Sequence, residues 1–200
     1  ATFPYEAFRF QAVKETDLKP SFSFTTDISL YEGCSVQYKF YRDLEFTPVR
    51  TAATLFGQLV HQTIEDAHRA ALRGETDTIT AENTDSWLLA NYSTLSKAQH
   101  AYLSDVVIKA AQRQVRHYVE RRQGRWDDII EAEVEIGLSK SDYIIHGTVD
   151  LVEGDGDTVD VVDFKSERKP DVNHDYEELE TYRKQLMLYA HLIEEKTGRK

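Results

Sequence analysis

A single cysteine, Cys34, leaves this 200-residue chain unable to form an internal disulfide, so nothing in it calls for an oxidising compartment. No stretch approaches the ~18 consecutive apolar residues that a membrane span needs. The opening Ala1-Thr-Phe-Pro-Tyr5 lacks the basic and apolar regions of a signal peptide. These absences point to a cytoplasmic protein with no membrane partner. Basic residues are also in deficit, 24 Lys and Arg against 35 Asp and Glu, for a net charge of −11. That balance runs against the basic excess of a typical nucleic-acid binder, although local patches decide where phosphates dock. There is no internal repeat, low-complexity tract or Gly-rich phosphate loop.

What is present fits one domain with a sizeable core: 40% hydrophobic and 30% charged residues. Residues 1–24 carry Pro4 and Pro20 without a sustained period and are expected to be a leader or linker, with the domain spanning 25–200. Thr25-Thr-Asp27 supplies N-cap chemistry for a helix to about Phe46. Its Tyr31, Tyr38, Phe40 and Tyr41 serve either as a core face or as a base-stacking surface. Leu55, Leu59, Val60, Ile64, Ala67 and Ala71 recur at helical spacing over about 54–73, stopped by Gly74. Two more helices are expected over 81–125. The second carries Lys109, Arg113, Arg116, Arg121, Arg122 and Arg125, with Glu120 the one acid among them. This run is either a solvated helix face or a phosphate track, with Lys109, Arg113, Arg116 and Arg121 the candidate DNA contacts.

After Trp126 the period changes. Glu131–Leu138 alternates as a strand, Tyr143–Val152 as a second, and Thr158–Lys165 as a third after a hairpin at Gly154–Asp157. A last helix over 177–195 places Leu179, Tyr182, Leu186, Tyr189 and Ile193 on one stripe, and Gly198 marks its end. Helices, a meandering sheet and a final helix make an α/β fold, α+β by chain order.

Two adjacent strands each deliver an acid, Gly147-Thr-Val-Asp150 and Val161-Val-Asp163-Phe-Lys165. Apolar neighbours bury these strands, and a buried carboxylate needs a partner. A divalent cation is the commonest partner able to hold two carboxylates together, and oxygen ligands suit Mg²⁺ or Mn²⁺. Asp163 and Lys165, two apart on a strand, share a face, so the lysine can orient a water or offset charge developing on phosphate.

Asp150, a hairpin and Asp163-Phe-Lys165 resemble the core of the PD-(D/E)xK nuclease superfamily, with Val149 where the name has proline. Gly57-Gln-Leu-Val-His61 resembles the helix that donates a histidine ligand in RecB-type nucleases. Gln185-Leu-Met-Leu-Tyr189 resembles their Q-x-x-x-Y element, and Thr25–Tyr41 their opening helix. The likeness runs from Thr25 to Gly198 and is nearest to the nuclease domain at the C-terminus of UvrD-like superfamily 1 helicases. It implies a restriction-endonuclease-like mixed sheet flanked by helices, Mg²⁺- or Mn²⁺-dependent DNA cleavage in repair or recombination, and a helicase region of the same full-length chain as partner. Carried over by residue, it implies metal ligation by His61, Asp150, Asp163 and the Phe164 carbonyl, with Lys165 positioning water. Glu133 becomes an outer ligand, and Gln185 and Tyr189 supporting residues.

Three departures matter. Ser35 replaces a usual proline, and with Cys34 alone the chain cannot hold the iron–sulfur cluster of some RecB-type relatives. The family also adds a strand after the last helix, so this chain is expected to be part of a longer protein. Plainer readings stand beside these: a His61–Glu65 surface pair, an Asp163–Lys165 ion pair, Gln185 and Tyr189 as ordinary helix residues, Glu133 as an exposed strand acid, and Cys34 as a small buried hydrophobe. The rival functions are a catalytically silent DNA-docking module of a helicase and an interaction domain using the aromatic helix.

Overall fold

The structure, a computed structural model, describes residues 18–49, 51–155 and 158–198. A four-stranded mixed sheet lies between helices, the α/β architecture expected. Its strands are β1 (Ser21–Ser23), β2 (Ile129–Ser139), β3 (Ile144–Asp155) and β4 (Thr158–Val162). β3 is central. β2 runs antiparallel along one edge, while the other edge is shared: β1 pairs parallel with Ile144–His146 and β4 antiparallel with Leu151–Asp155. Those directions send the C-terminal ends of β1 and β4 toward each other. Between them, Gly147 to Asp150 have no strand partner on that edge among the described residues.

The helices are α1 (Ser29–Gly33), α2 (Ser35–Tyr38), α3 (Ala52–Leu72), α4 (Ala81–Gln99), α5 (Asp105–Arg122) and α6 (Tyr176–Thr197). α3 forms because Thr51 caps it, its side chain accepting the Thr54 N–H at 3.1 Å, and because Leu55, Leu59, Val60, Ile64 and Ala67 form one buried stripe. Gly74, at φ 76°, supplies the left-handed turn that ends it. That stripe packs with Leu88 of α4, Ala111, Val115 and Val119 of α5, and Ile129 and Leu151 of the sheet. A second cluster joins Ile136, Val149 and Val152 to Tyr189, Leu192 and Ile193 of α6 on the other side. Burying a large apolar side chain contributes about 1.5–3 kcal/mol each, so these two layers fix the sheet.

Five expectations need correction. Ser21–Ser23, within the expected leader, is a sheet strand; residues 1–17 lie outside the described residues. The single helix from 27 to 46 is broken: α1 and α2 are separated by Cys34, which is extended (φ −162°), and wide π-type turns cover Phe24–Ile28 and Lys39–Asp43. Gly33 weakens the helix there, and the Cys34 sulfur takes the Gln37 N–H at 3.5 Å, starting a new one. The segment is held instead by buried Asp27, which accepts the Ser23 N–H at 2.8 Å and pairs with Arg42 at 2.6 Å. Its aromatics are not core: Tyr31 and Phe40 are exposed, packing edge-on against Tyr38 and Phe46, and Cys34 is exposed too. Lastly, β4 ends at Val162 rather than Lys165.

The alternation of β2 also slips. Ala132 packs into the cluster beneath α3 and Val134 into the one beneath α6, although residues two apart on a regular strand share a face. Glu133 between them is left-handed, at φ 51°.

Candidate active site

The stretch of β3 left unpaired between β1 and β4 floors a cleft of about 410 Å³. Asp150 enters from that floor, Asp163 and Lys165 from the chain leaving β4, His61 from α3, and Gln185 and Tyr189 from α6. Ser23 and Thr25, at and just past the end of β1, also line it; the sequence marked Thr25 only as a helix start and Ser23 not at all.

The end of β4 is itself part of the site. The Phe164 N–H donates to Asp150 Oδ2 at 2.6 Å instead of joining the sheet ladder, which is why the strand stops short. Phe164 is anchored on the other side by rings, 5.6 Å from His68 and 5.2 Å from Tyr118 between centroids. Asp163 and Lys165, flanking it, both turn to α6. Gln185 Nε2 donates to Asp163 Oδ1 at 2.8 Å, Lys165 Nζ donates to Gln185 Oε1 at 3.0 Å, and Lys165 Nζ lies 2.5 Å from Asp163 Oδ2. Gln185 Nε2 also reaches the Tyr189 hydroxyl at 3.1 Å. Tyr189 and Ile193 of the expected stripe are buried with Leu192, but Leu186 is 36% exposed and Gln185 is buried in its place, so the inward face of α6 turns polar where it meets the cleft. Tyr182 adds a ring face 5.1 Å from Lys165 Nζ, its hydroxyl held by Glu167 at 3.0 Å and Glu178 at 2.6 Å.

Gly147 explains the first residue of its motif. A Cβ there would stand 2.6 Å from Tyr189 Cε1, so α6 can approach β3 only over a glycine.

The electrostatics are those of a crowded acidic site. Burial, opposed by the Phe164 N–H and reinforced by the charge of Asp163, holds the Asp150 carboxyl above its usual range. Glu133 is pushed up to about 7 by burial and by the charges of Asp150 and Glu65. It is half-buried and within electrostatic reach of Asp150, whereas Glu131 and Glu135 are exposed. His61 Nδ1 is 3.8 Å from Asp150 Oδ2, too long for a hydrogen bond. Glu65, the other partner considered for His61, pairs instead with Arg69.

Among the described residues no three His, Cys, Asp or Glu side chains stand close enough together to hold a metal ion as they are. The reason is visible in Asp163, whose two oxygens are taken by Gln185 and Lys165. The donor chemistry nevertheless fits a hard divalent cation, because Asp150 and Asp163, 14% and 9% exposed, repel each other across one cleft beside an imidazole. Positive charge stabilises that pair; Lys165 supplies it by direct contact to Asp163 and from further off to Asp150, whose carboxyl still stands above its usual range.

Of the basic residues on α5, Arg116 is paired with Asp85, away from the cleft. Arg121 lines a neighbouring groove together with His61 and Lys165, whereas Lys109 and Arg113 do not line it.

A family model for the PD-(D/E)XK nuclease superfamily matches residues 21–200. The chain belongs to that superfamily, whose members are generally metal-dependent nucleases. No curated protein and no solved structure is similar enough to count as a match. Among the described residues no helix is long and apolar enough to cross a membrane.

Proposed function

We propose that the chain is a Mg²⁺- or Mn²⁺-dependent deoxyribonuclease of the RecB type, hydrolysing phosphodiester bonds with Asp150, Asp163 and Lys165 at the reaction centre. The observation that carries this is convergence. His61, Asp150, Asp163, Lys165, Gln185 and Tyr189, from helices and strands far apart in the chain, line one cleft.

Asp150, Asp163 and His61 would hold the cation, with the Phe164 carbonyl a further donor and Glu133 an outer one. When bound, the cation activates water and withdraws charge from the phosphate oxygens. The protein's own groups do the rest. The Phe164 N–H and the His68–Tyr118 rings fix Asp150 and the backbone beside it. Gln185 holds Asp163 and Lys165 in one network of hydrogen bonds, donating to the acid and accepting from the amine. Lys165, 2.5 Å from Asp163 Oδ2 and lining the same cleft, is placed to orient water and stabilise developing charge. Tyr189 backs Gln185 and seals the cleft against Gly147.

The same reading makes a helicase region of a longer chain the partner and DNA repair or recombination the setting. The exposed Tyr31, Val36, Phe40, Leu44, Phe46 and Val49 support an interdomain contact, since clustered apolar exposure marks a protein interface. The rival, a silent DNA-docking module, draws on one observation: both Asp163 oxygens are already satisfied by the protein.

Two measurements test the assignment. The protein should cut DNA with Mg²⁺ or Mn²⁺ and stop in EDTA. Asp163→Ala and Lys165→Ala should each lose roughly a hundredfold or more of the rate with an unchanged circular dichroism spectrum. Metal-dependent cutting retained in either variant refutes the roles assigned to Asp163 and Lys165. Calorimetric Mn²⁺ titration separates the rival, which requires no site-specific binding lost on Asp150→Ala.

A further inference from the structure

Beside the cleft, and sharing His61, Phe164, Lys165 and Ser166 with it, runs a second groove of about 340 Å³ between α3 and α5. Its floor is apolar and aromatic, from Val60, Ile64, Tyr118 and Phe164, and its rim carries Gln114, His117, Arg121 and Arg125. At 100° per residue, Gln114, His117, Tyr118 and Arg121 fall on one flank of α5, with Lys109 and Arg116 on the other and Arg113 near its outer face.

The cations differ in how far they are already spent. Arg122 is buried against Glu153, Arg125 pairs with Asp128 and Glu153, Arg116 with Asp85, and Lys165 with Asp163. Arg121 is exposed and has no ion-pair or hydrogen-bond partner among the described residues. It is the rim cation left to meet an outside anion. The net charge of −11 offers no long-range attraction to DNA, so a concave local site must supply the grip.

We propose that this groove is a subsite for one unpaired nucleotide beside the scissile phosphate. Arg121 meets its phosphate and the Tyr118–Phe164 wall meets its sugar and base, so the protein takes single-stranded DNA in preference to blunt duplex. The volume is at the low end for a small-molecule site. It suits one nucleotide, whereas a paired base would first have to leave its partner and stack. Apolar and aromatic walls accept any unpaired base without reading its edges. The proposal rests on the nuclease reading for its position but not for its binding.

The test is fluorescence anisotropy on the full chain in EDTA, with a short labelled oligothymidine and a blunt hairpin duplex, over a range of salt. The wild type should bind the single strand more tightly. Arg121→Gln should weaken it roughly two- to fivefold, the range for an exposed charge contact. It should also lower the slope of log affinity against log salt by about 0.7, as for one phosphate contact to a single strand. Arg121→Glu should weaken it further, and Lys97→Gln, on exposed α4 surface, should change nothing. Equal affinity for the two DNAs, wild-type binding by the Arg121 variants, or a loss confined to Lys109→Gln and Arg113→Gln would each overturn the groove. Binding as expected without cutting in Mg²⁺ or Mn²⁺ would instead overturn the nuclease reading and leave the binding groove standing.

Discussion

Acid should loosen this protein through His68, and the effect is large enough to isolate. His68 is 1% exposed on α3, with its Nε2 2.6 Å from the Tyr118 hydroxyl and its ring among those of Tyr118, Trp126 and Phe164. Burial, aided by the charge of Arg122, lowers its pKa from 6.5 to about 4. The folded protein therefore holds fewer protons than the unfolded chain between those values. Stability from this residue is full above pH 6.5 and is lost as pH falls toward 4. A shift of that size amounts to about 3 kcal/mol in all, of which about 2 kcal/mol is lost between pH 7 and pH 5. Glu133 pulls the other way. With a carboxyl raised to about 7, its contribution is present at low pH and lost as pH rises through that value, so wild-type stability alone would blur the two. His68→Gln removes one titration and keeps a hydrogen-bonding group beside Tyr118. Urea unfolding followed by tryptophan fluorescence at pH 7, 6 and 5, with EDTA present, should show the wild type losing about 2 kcal/mol more than the variant. Parallel pH profiles would refute the claim that His68 is held neutral by its surroundings. Phe164 belongs to the same ring cluster and gives its N–H to Asp150, so loosening the cluster loosens the site as well.

Gly147→Ala should cost about 1–3 kcal/mol by overpacking, because the new Cβ would stand 2.6 Å from Tyr189 Cε1. Thermal melting checks it, and an unshifted midpoint would show that α6 yields more easily than its packing suggests. Gln185→Leu keeps a buried side chain of similar size but removes the link between Asp163 and Lys165. The cutting rate should fall roughly 10- to 100-fold, as when a residue orienting a ligand is removed, with KM for DNA unchanged. A rise in KM with kcat preserved would place Gln185 at substrate binding instead.

The parts of the fold legible in sequence were those whose signal is local. α3 announced itself through a regular apolar stripe and Gly74, and the meander through period-two strands and glycine turns, whereas the Thr51 cap shows only in the structure. The acids and lysine were legible for the same reason, since the Asp150-to-Lys165 spacing spans a single hairpin that folds back on itself. What was hidden depended on partners remote in the chain. Alternation from Val161 to Lys165 continues unbroken on paper, yet the ladder stops where a carboxylate from the neighbouring strand captures the Phe164 amide. The aromatics of 31–41 follow a helical period, but a stripe becomes core only when something covers it, and Tyr31 and Phe40 remain exposed. Helical angle in the basic run from 109 to 125 already spreads Arg113, Arg116 and Arg121 over more than one stripe, but does not say which stripe meets a cleft; among the four candidates only Arg121 lines the groove beside it.

Glu133 joins the local and the remote. A left-handed non-glycine residue in a strand is strained by roughly 1–2 kcal/mol, and this one also sets a carboxylate against Asp150 and Glu65. Neither feature helps the fold, so a residue kept there for structure alone should be improvable. Glu133→Gly removes both penalties, because glycine adopts φ 51° freely and carries no charge. Relief of about 1–2 kcal/mol of strain outweighs the roughly 0.4–1 kcal/mol that glycine's freer unfolded chain costs, so in EDTA at neutral pH stability should rise by up to about 1 kcal/mol. If Glu133 serves the metal centre, the same variant should cut DNA more slowly and require more Mg²⁺ to saturate. A gain in stability with full activity would make the strain incidental, and a loss of stability would show that the side chain is packed for the fold rather than for the chemistry.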